Sequence, residues 1–370
     1  MSVIVDGSNG LIFNDASTQT TAATGFGFKN RIINGDMRID QRNAGASVTT
    51  ATSGAYNLDR WNNNNNSGAS RFTVQQNAGS VTPPAGFINY LGCTSTGAYS
   101  ISSGDVILIR QPIEGYNIAD LNWGTANASA VTLSFWVRSS LTGTFGGSIK
   151  AGGSHSYPFT YTINSANTWE QKTVSIPGPT SGTWQTTTST GVELNFSLGT
   201  GSTYAGTANT WAYSSDYRSA TGATSVVGTN GATWYLTGVQ LEKGSTATSF
   251  DYRPFQIEHR LCMRYYEKSH PYSAVPGTAT FYTGFVSTNS SGNSGSEASG
   301  CRFLVEKRTS PTITTYNAVS GASGKAYRVS DAATISTTPT HVNTTGIGYL
   351  GLASASENGY YWHFTAESEF

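Results

Sequence analysis

The chain has 370 residues, a formal net charge of zero and only 11% charged residues. Soluble proteins usually have about 25%. No run of Lys or Arg occurs, which argues against nucleic-acid binding and against attraction to an anionic membrane. The N-terminus lacks the basic start and apolar core of a signal peptide, and no apolar run reaches the ~18 residues of a spanning helix. We therefore expect synthesis in a cytoplasm and no membrane insertion.

Residue usage favours strands over helices. The chain contains 42 Gly, 20 Tyr and 8 Trp, together with many Thr, Ser and Asn. Aromatic and β-branched side chains suit pleated, half-buried surfaces, whereas Gly, Asn and Ser suit turns. The length exceeds what one core usually serves, so two β domains are predicted. Three widely separated cysteines, Cys93, Cys262 and Cys301, follow no metal spacing and are interpreted as reduced packing residues.

Residues 1–28 form a polar, Gly-rich leader with a single apolar cluster, Leu11, Ile12 and Phe13. That is too little apolar material for independent folding. Two interpretations remain: a flexible terminus, or a β segment that buries its apolar side against copies of itself in a trimer. In the second case the leader serves trimerisation or attachment to other proteins of a larger assembly.

Residues 29–253 contain strand patterns separated by loops rich in Gly, Ser and Asn. Residues 106–109 form a continuous apolar run, which indicates a fully buried strand. Residues 131–137 alternate apolar and polar side chains, which is typical of a strand with one core face. Further strands are predicted at residues 192–198 and 234–241.

The one convincing helix pattern covers residues 254–267. Pro254 suits a first helical position, and Ile257, Leu261 and Tyr265, with Cys262 and Tyr266 beside them, form an apolar stripe. We expect a connector helix over residues 254–268. A second β domain should follow at residues 269–370, with strands near residues 279–287, 301–307, 312–316 and 360–365.

Several phrases resemble a group of bacteriophage tail fibre and tail-associated proteins. They are NRIINGDM (30–37), YNLDRW (56–61), RQPIEG (110–115), LSFWVR (133–138), WYLTGVQLEKG (234–244), FDYRP (250–254) and LCMRYY (261–266). The leader (10–21) and the segment FTAESEF (364–370) are similar to the two ends of such fibres. The resemblance implies a virion tail component, usually a homotrimer, with a carbohydrate-binding-module-like jelly roll in its middle.

The predicted fold class is therefore all-β: a jelly-roll β-sandwich, a single connector helix and a second, smaller C-terminal β-sandwich domain. Soluble modules with this jelly roll commonly hold a structural calcium, but Arg38 and Gly238 stand near the places of two of its carboxylates. Asp36, Asp40, Glu242 and Asp251 are the remaining oxygen ligands nearby, and they do not make up the six or more oxygens that calcium needs. We expect no metal and no cofactor.

No catalytic constellation is evident. Glycoside hydrolysis needs two carboxylates that flank the bond, whereas most of the 21 Asp and Glu stand beside Arg or Lys or in turns. The five histidines show no metal spacing, and no nucleophile elbow occurs. The sequence predicts a protein that is not an enzyme.

Aromatic side chains are the better candidates for function, because a flat ring can stack on the apolar face of a sugar. The loop at residues 203–224 supplies the predicted glycan contacts: Tyr204, Trp211, Tyr213, Asp216, Tyr217 and Arg218. A subunit contact or ordinary loop packing would use the same residues. In the C-terminal domain, Tyr349, Tyr361 and His363 are predicted to face a receptor.

The leading hypothesis is a homotrimeric tail fibre that attaches the virion to host polysaccharide or lipopolysaccharide, with residues 269–370 as its tip. A polysaccharide-degrading tailspike and a mid-tail adaptor without receptor contact are the alternatives. A free carbohydrate-binding protein is a further one, and the missing export signal counts against it.

Overall fold

The computed structural model describes residues 4–6, 10–12, 18–19, 28–49, 53–152, 155–280, 286–289, 297–353 and 359–370. In the leader, β1 (Ile4–Asp6), β2 (Gly10–Ile12) and β3 (Thr18–Gln19) form a three-stranded antiparallel sheet in that order. Strands of two or three residues are shorter than the usual strand. Pairing of this leader with other copies stays a prediction.

The next part of the chain forms two facing six-stranded sheets. Its strands are β4 (Val48–Thr49), β5 (Tyr56–Leu58), β6 (Trp61–Asn65), β7 (Phe72–Gln76), β8 (Leu91–Ser95), β9 (Val106–Glu114), β10 (Val131–Ser139), β11 (Gly143–Lys150), β12 (Ser156–Ile163), β13 (Glu170–Ile176), β14 (Thr190–Thr200), β15 (Ala205–Gly206), β16 (Ser219–Ala220) and β17 (Thr233–Lys243). The first sheet has the order β13-β10-β17-β8-β7-β4 and the second β12-β11-β14-β9-β6-β5. Short 3-10 turns occur at Ala78–Ser80, Gly115–Asn117, Ala119–Leu121 and Ser202–Tyr204.

The chain passes back and forth between the sheets, since β8, β10, β13 and β17 belong to the first sheet and β9, β11, β12 and β14 to the second. All pairs within the two sheets are antiparallel. This is the predicted jelly-roll sandwich. Each of the four strands predicted from residues 106–109, 131–137, 192–198 and 234–241 is confirmed and is longer than its pattern.

Alternation of side chains builds the sandwich core. In β10, Val131, Leu133, Phe135 and Val137 point inward and are fully buried. Trp61, Phe196 and Trp234 pack beside them from both sheets, with ring centroids 5.6–6.4 Å apart. Cys93 is buried in the same cluster, and all three cysteines are unpaired. Outward-facing positions of the same strands are therefore left for polar groups and ligands.

Helix α1 (Phe255–Met263) is the single α-helix among the described residues, and it is shorter than predicted. Pro254 is its N-cap rather than its first helical residue. The predicted stripe is wrong at its start: Ile257 is 37% exposed, whereas Glu258 is buried. The predicted C-terminal end of the helix is wrong as well. The chain leaves the helix after Met263 and forms β18 (Tyr266–Lys268), whose backbone groups pair with the last strand of the chain.

The C-terminal part forms an eight-stranded sheet that curls around a second apolar core. Its further strands are β19 (Val286–Asn289), β20 (Glu297–Arg302), β21 (Thr312–Asn317), β22 (Lys325–Arg328), β23 (Thr334–Asn343), β24 (Gly346–Leu352) and β25 (Gly359–Glu367). Strand β25 is central and pairs with β18, β19, β21 and β22. Trp362, Phe364 and Leu350 lie in the core.

Two strand predictions in this part need correction. The strand expected at residues 301–307 ends at Arg302. The next residues leave the sheet: Phe303 packs in the second core, and the buried ammonium of Lys307 pairs with Glu267 at 2.6 Å. Most of the strand expected at residues 279–287 lies outside the described residues. Within the described part, its C-terminal end overlaps β19. The domain boundaries proposed from the sequence stay predictions.

The phrases that carry the resemblance meet where α1 joins the sandwich. The Asn34 side chain bonds both backbone groups of Ile39 and the carbonyl of Asp59 at 2.8–2.9 Å, and the Trp61 indole donates to the Asn34 carbonyl. The Gln111 amide bonds both backbone groups of Ile33 at 2.9 Å. These residues of the phrases are therefore structural: they hold the end of the sandwich together.

Candidate functional site

A long segment folds back over the outward face of the second sheet. Residues 205–225, the cover segment, contain β15 and β16, and β16 contacts β11, β12 and β14. Ala212 exchanges two backbone hydrogen bonds with Ser156 at 2.8 and 2.9 Å, and the Asn209 amide donates to the Pro158 carbonyl. Five of the six predicted glycan contacts lie on this segment. Tyr204 immediately precedes it.

Two aromatic residues among the predicted glycan contacts, Trp211 and Tyr213, mainly pack against neighbouring rings. The Trp211 ring meets Trp123 and Trp184 edge-on, with centroids 5.8 and 5.6 Å away, and its indole donates to the Pro177 carbonyl at 2.7 Å. Tyr213 stacks on Trp211 at 6.5 Å and is 38% exposed. Trp211 thus holds the cover segment in place, and Tyr213 is the aromatic ring of this pair that reaches solvent.

The other predicted contacts form ion pairs and backbone contacts. Asp216 binds Arg218 at 2.7 Å and Lys150 at 2.9 Å. Burial raises the pKa of Asp216, but the bonds from Arg218 and Lys150 outweigh it, so this pKa lies below its ordinary value. Tyr217 packs over Gly206, and the Arg218 amide donates to the Tyr204 carbonyl. The structure therefore brings the six residues together on and directly before the cover segment. They form two small groups rather than one flat aromatic surface.

A strip of polar side chains crosses the outward face of the second sheet beside the cover segment. The polar strip consists of Asn62, Arg110, Asn195, Glu193 and Lys150. Arg110 donates to Asn62 at 2.9 Å and approaches Glu193 at 3.5 Å, and Lys150 lies 3.6 Å from the second Glu193 oxygen. Asn195 Oδ1 and Asn62 Nδ2 are buried without a hydrogen-bond partner among the described residues. Unsatisfied buried polar atoms are uncommon in folded proteins.

Glu193 also lies in a cleft with a volume of about 580 Å³. The cleft is lined by Ala151, Gly152, His155, Thr183, Gln185, Ser189, Thr190 and Glu193. His155 forms its aromatic wall and is held by Trp184 and Tyr213, with centroids 6.1 and 5.6 Å away. The cleft thus combines a carboxylate floor, amide and hydroxyl groups and an aromatic edge, a combination that suits a hydroxyl-rich ligand.

Sequence reasoning missed this cleft. Its lining comes from residues 151, 152 and 155, from the stretch 183–185 and from the stretch 189–193, of which only the last lies largely in a recognisable strand. The available signal was the alternation in residues 192–198, which places Glu193, Asn195 and Ser197 on the face opposite the core. Polar residues on that face of a buried strand point to a covered or liganded surface.

Of the three residues predicted to face a receptor, Tyr349 is exposed, Tyr361 is half-buried and His363 is fully buried. Tyr349 is 47% exposed and lies against His341. Tyr361 is half-buried and stacks on Tyr327. His363 is fully buried, so it cannot face a receptor: its ring bonds the hydroxyls of Ser269 and Thr280 and stacks on His270 at 4.0 Å.

The four oxygen ligands considered for calcium do not converge. Asp36 pairs with Arg38 at 2.7 Å, and Asp40 accepts from the amides of Asn43 and Gly45. Glu242 accepts from Thr248 and Gln240, and Asp251 accepts from the Asn30 amide. Within the described ranges, no group of three or more His, Cys, Asp or Glu could hold a metal ion. No helix of the described part is long and apolar enough to cross a membrane.

No protein-family model matches the chain, and no curated protein matches it. Among solved structures, it is similar to the enzymatically active domain of bacteriophage CBA120 tailspike protein 4, at 14% identity and a TM-score of 0.31. That similarity covers 58% of this chain but only 21% of the tailspike chain.

Two carbohydrate-binding modules are also similar. A CBM4 module is 15% identical with a TM-score of 0.28, over 57% of this chain and 97% of the module. A family 11 module from Clostridium thermocellum, in complex with a β-1,3-1,4-mixed-linked tetrasaccharide, is 12% identical with a TM-score of 0.26, over 54% and 98%. At these scores the similarities carry no functional assignment, and the fold assignment rests on the strand order described above.

Proposed function

We propose that this protein is a non-enzymatic component of a bacteriophage tail fibre that binds host surface polysaccharide or lipopolysaccharide through the cleft at Glu193. The observation that carries the proposal is the lining of that cleft. Glu193 can accept hydrogen bonds from sugar hydroxyls, Gln185 and Thr183 can both donate and accept, and His155 offers a ring edge. Its volume of about 580 Å³ lies within the ~300–1,000 Å³ usual for ligand sites.

Binding without hydrolysis is supported by the state of the nearest carboxylates. A glycosidase needs one carboxyl group that is protonated and can act as a general acid. Glu193 and Asp216 both bind the same ammonium, that of Lys150, and the pKa of Asp216 is lowered rather than raised. This arrangement holds Asp216 ionised and favours recognition over acid catalysis.

The virion location and the homotrimer belong to the proposal as well. They rest on the ordered phrases across residues 30–266 and on a leader whose strands are too short to be stable alone. In this arrangement the leader binds other tail proteins and the sandwich faces the host. Light scattering of the purified chain should give the mass of three copies.

The test is a bacterial glycan array probed with the parent protein and with Gln185→Ala. Gln185 is exposed, so the variant should fold normally, and loss of its amide should weaken binding to the glycans that the parent binds. Asn127→Ala is the matched control, because it removes an exposed amide away from the cleft. A parent that binds no glycan would favour the adaptor alternative, and release of reducing ends from a bound glycan would favour the tailspike alternative.

A further inference from the structure

A second concave site lies on the opposite side of the sandwich, on the outward face of the first sheet. This aromatic groove has a volume of about 310 Å³. Its walls are Phe87, Trp136, Phe250 and Tyr252, and its polar lining is Ser134 and Gln171. None of the lining residues belongs to the cleft at Glu193.

The groove exists because of a β-bulge. The register of β10 against β17 shifts between Ser134 and Trp136. Gly238, at this bulge, has a φ of +60°. A Cβ there would lie 2.6 Å from the Phe87 ring and 3.1 Å from the Trp136 ring. Bulges often re-aim side chains beside functional sites. Here the bare backbone of Gly238 leaves room between the two rings.

The aromatic walls are held in fixed orientations but still reach solvent. Phe250 meets Phe87 edge-on at 5.1 Å and Tyr252 at 6.2 Å. The Arg38 guanidinium lies 4.7 Å from the Tyr252 ring centroid. Tyr252 is nevertheless 51% exposed. A ring that is both oriented and exposed can stack on another flat or apolar surface at little conformational cost.

Polar side chains lie beside these rings and line the same groove. Ser134 is 4% exposed and carries a hydroxyl. Gln171 stands directly opposite Trp136 in the strand register, and its exposed side chain carries an amide. No charged side chain lines the groove. Aromatic walls beside uncharged donors and acceptors match a neutral pyranose, which has an apolar face and an edge of hydroxyls.

We propose that the aromatic groove is a second carbohydrate contact, which takes the apolar face of a neutral pyranose ring between Tyr252 and Trp136 and bonds its hydroxyls through Gln171 and Ser134. This inference rests on the proposed function in one respect only: both assume that the ligand is a carbohydrate. With the cleft on the opposite face, each chain would then contact glycan at two places. A polymeric glycan on a cell surface would be held more tightly by both sites than by either alone.

The test uses the full-length protein and an array of neutral bacterial O-chain and capsular oligosaccharides, followed by calorimetric titration of the best array ligand. Tyr252→Ala and, separately, Gln171→Ala should each weaken binding of neutral oligosaccharides by about tenfold. Tyr116→Ala and Asn127→Ala are the matched controls, because both remove exposed side chains away from the groove. Gln171 is exposed, so its variant should fold even if Tyr252→Ala does not.

The outcomes separate the two proposals. Unchanged binding in both groove variants overturns the groove, whatever Gln185→Ala does. Binding that is lost in Gln185→Ala alone upholds the cleft and overturns the groove. Binding that is lost in the groove variants alone upholds the groove and overturns the cleft. A change in the mass of the assembled protein in Gln171→Ala identifies the groove as a contact between copies and also overturns the inference.

Discussion

At the scale of single residues, the phrases that resemble tail proteins describe backbone geometry rather than a binding surface. The φ of Asn34 is +59°, and its side chain bonds the backbone of Ile39 and Asp59. Gly35 lies against the first sheet, where its amide carbonyl accepts from Val239 at 2.9 Å. The sequence shows its resemblance to tail proteins through such residues, because backbone constraints tolerate few alternatives. It could not identify the ligand through them.

Gly35→Ala should destabilise the protein by at least about 2 kcal/mol. A Cβ at this position would lie 2.2 Å from the Val239 carbonyl oxygen, which is backbone and cannot rotate away. Gly97→Ala is the control, since no atom lies within 4 Å of a Cβ there. Denaturant midpoints measure both. Equal midpoints for the two variants would contradict the close approach.

The stacked pair His270 and His363 predicts acid sensitivity. Burial, with the neighbouring His363 and Lys268, lowers the pKa of His270 to about 3, and burial lowers the pKa of His363. Below the ordinary value of 6.5 the unfolded chain therefore binds more protons than the folded chain. Stability should fall as the pH drops from 6.5 towards 3, by up to about 1.4 kcal/mol per pH unit for each proton.

The comparison that isolates this effect is His270→Phe, which keeps a ring against His363. The raised pKa values of Asp36, about 6, and Asp59, about 7, change stability in the opposite sense, and both remain in the variant. As the pH is lowered from 7 to 3.5, the denaturation midpoint should fall less in His270→Phe than in the parent. Parallel curves would show that the pair does not titrate on unfolding.

At the scale of elements, the strands were predictable and the covering segments were not. Period-two alternation in residues 131–137 identified both the strand and its core face, because one face of each strand meets the same core. Alternation also placed His363 opposite Trp362, but it could not show that residues 269–280 cover that face. The cover segment has no period at all. What lies over an outward face depends on long-range packing, which local patterns do not contain.

Helix α1 shows the same limit, and its buried face can be tested. Glu258, not Ile257, is buried: it accepts from the Asn34 amide and pairs with Arg253 at 3.2 Å. Glu258→Ala should cost about 3 kcal/mol, because the buried Arg253 keeps only the more distant carboxylate of Asp251, at 3.8 Å. Ile257→Ala should stay within about 0.5 kcal/mol, as is usual for an exposed position. Chemical denaturation that ranks the two variants the other way would contradict the orientation of α1.

At the scale of the whole molecule, the sandwich and the C-terminal sheet share one junction. Ile33 and Ile39 from the sandwich side pack with Cys262, Tyr265 and Phe370. Glu369 pairs with Arg60 and Arg42, and Glu114 of β9 pairs with Arg264 at 2.6 Å. These contacts join the two parts through buried ion pairs. The cleft at Glu193 and the aromatic groove are therefore held in a fixed orientation to the C-terminal sheet.

The junction predicts a single unfolding transition in calorimetry. Glu369→Ala should destabilise the protein by about 3 kcal/mol and separate the transition into two, because the buried Arg60 loses its partner. Glu367→Ala is the matched control: this carboxylate binds the same Arg42 but is 45% exposed, so its loss should cost less than about 1 kcal/mol. Two transitions already present in the parent would contradict a shared junction.

The central claim is that the cleft at Glu193 binds host glycan, and calorimetric titration of the best array ligand tests it most directly. The parent should bind, Gln185→Ala should bind about tenfold more weakly, and Asn127→Ala should match the parent. Equal affinities for the parent and Gln185→Ala, together with unchanged binding in His155→Ala, would contradict the claim.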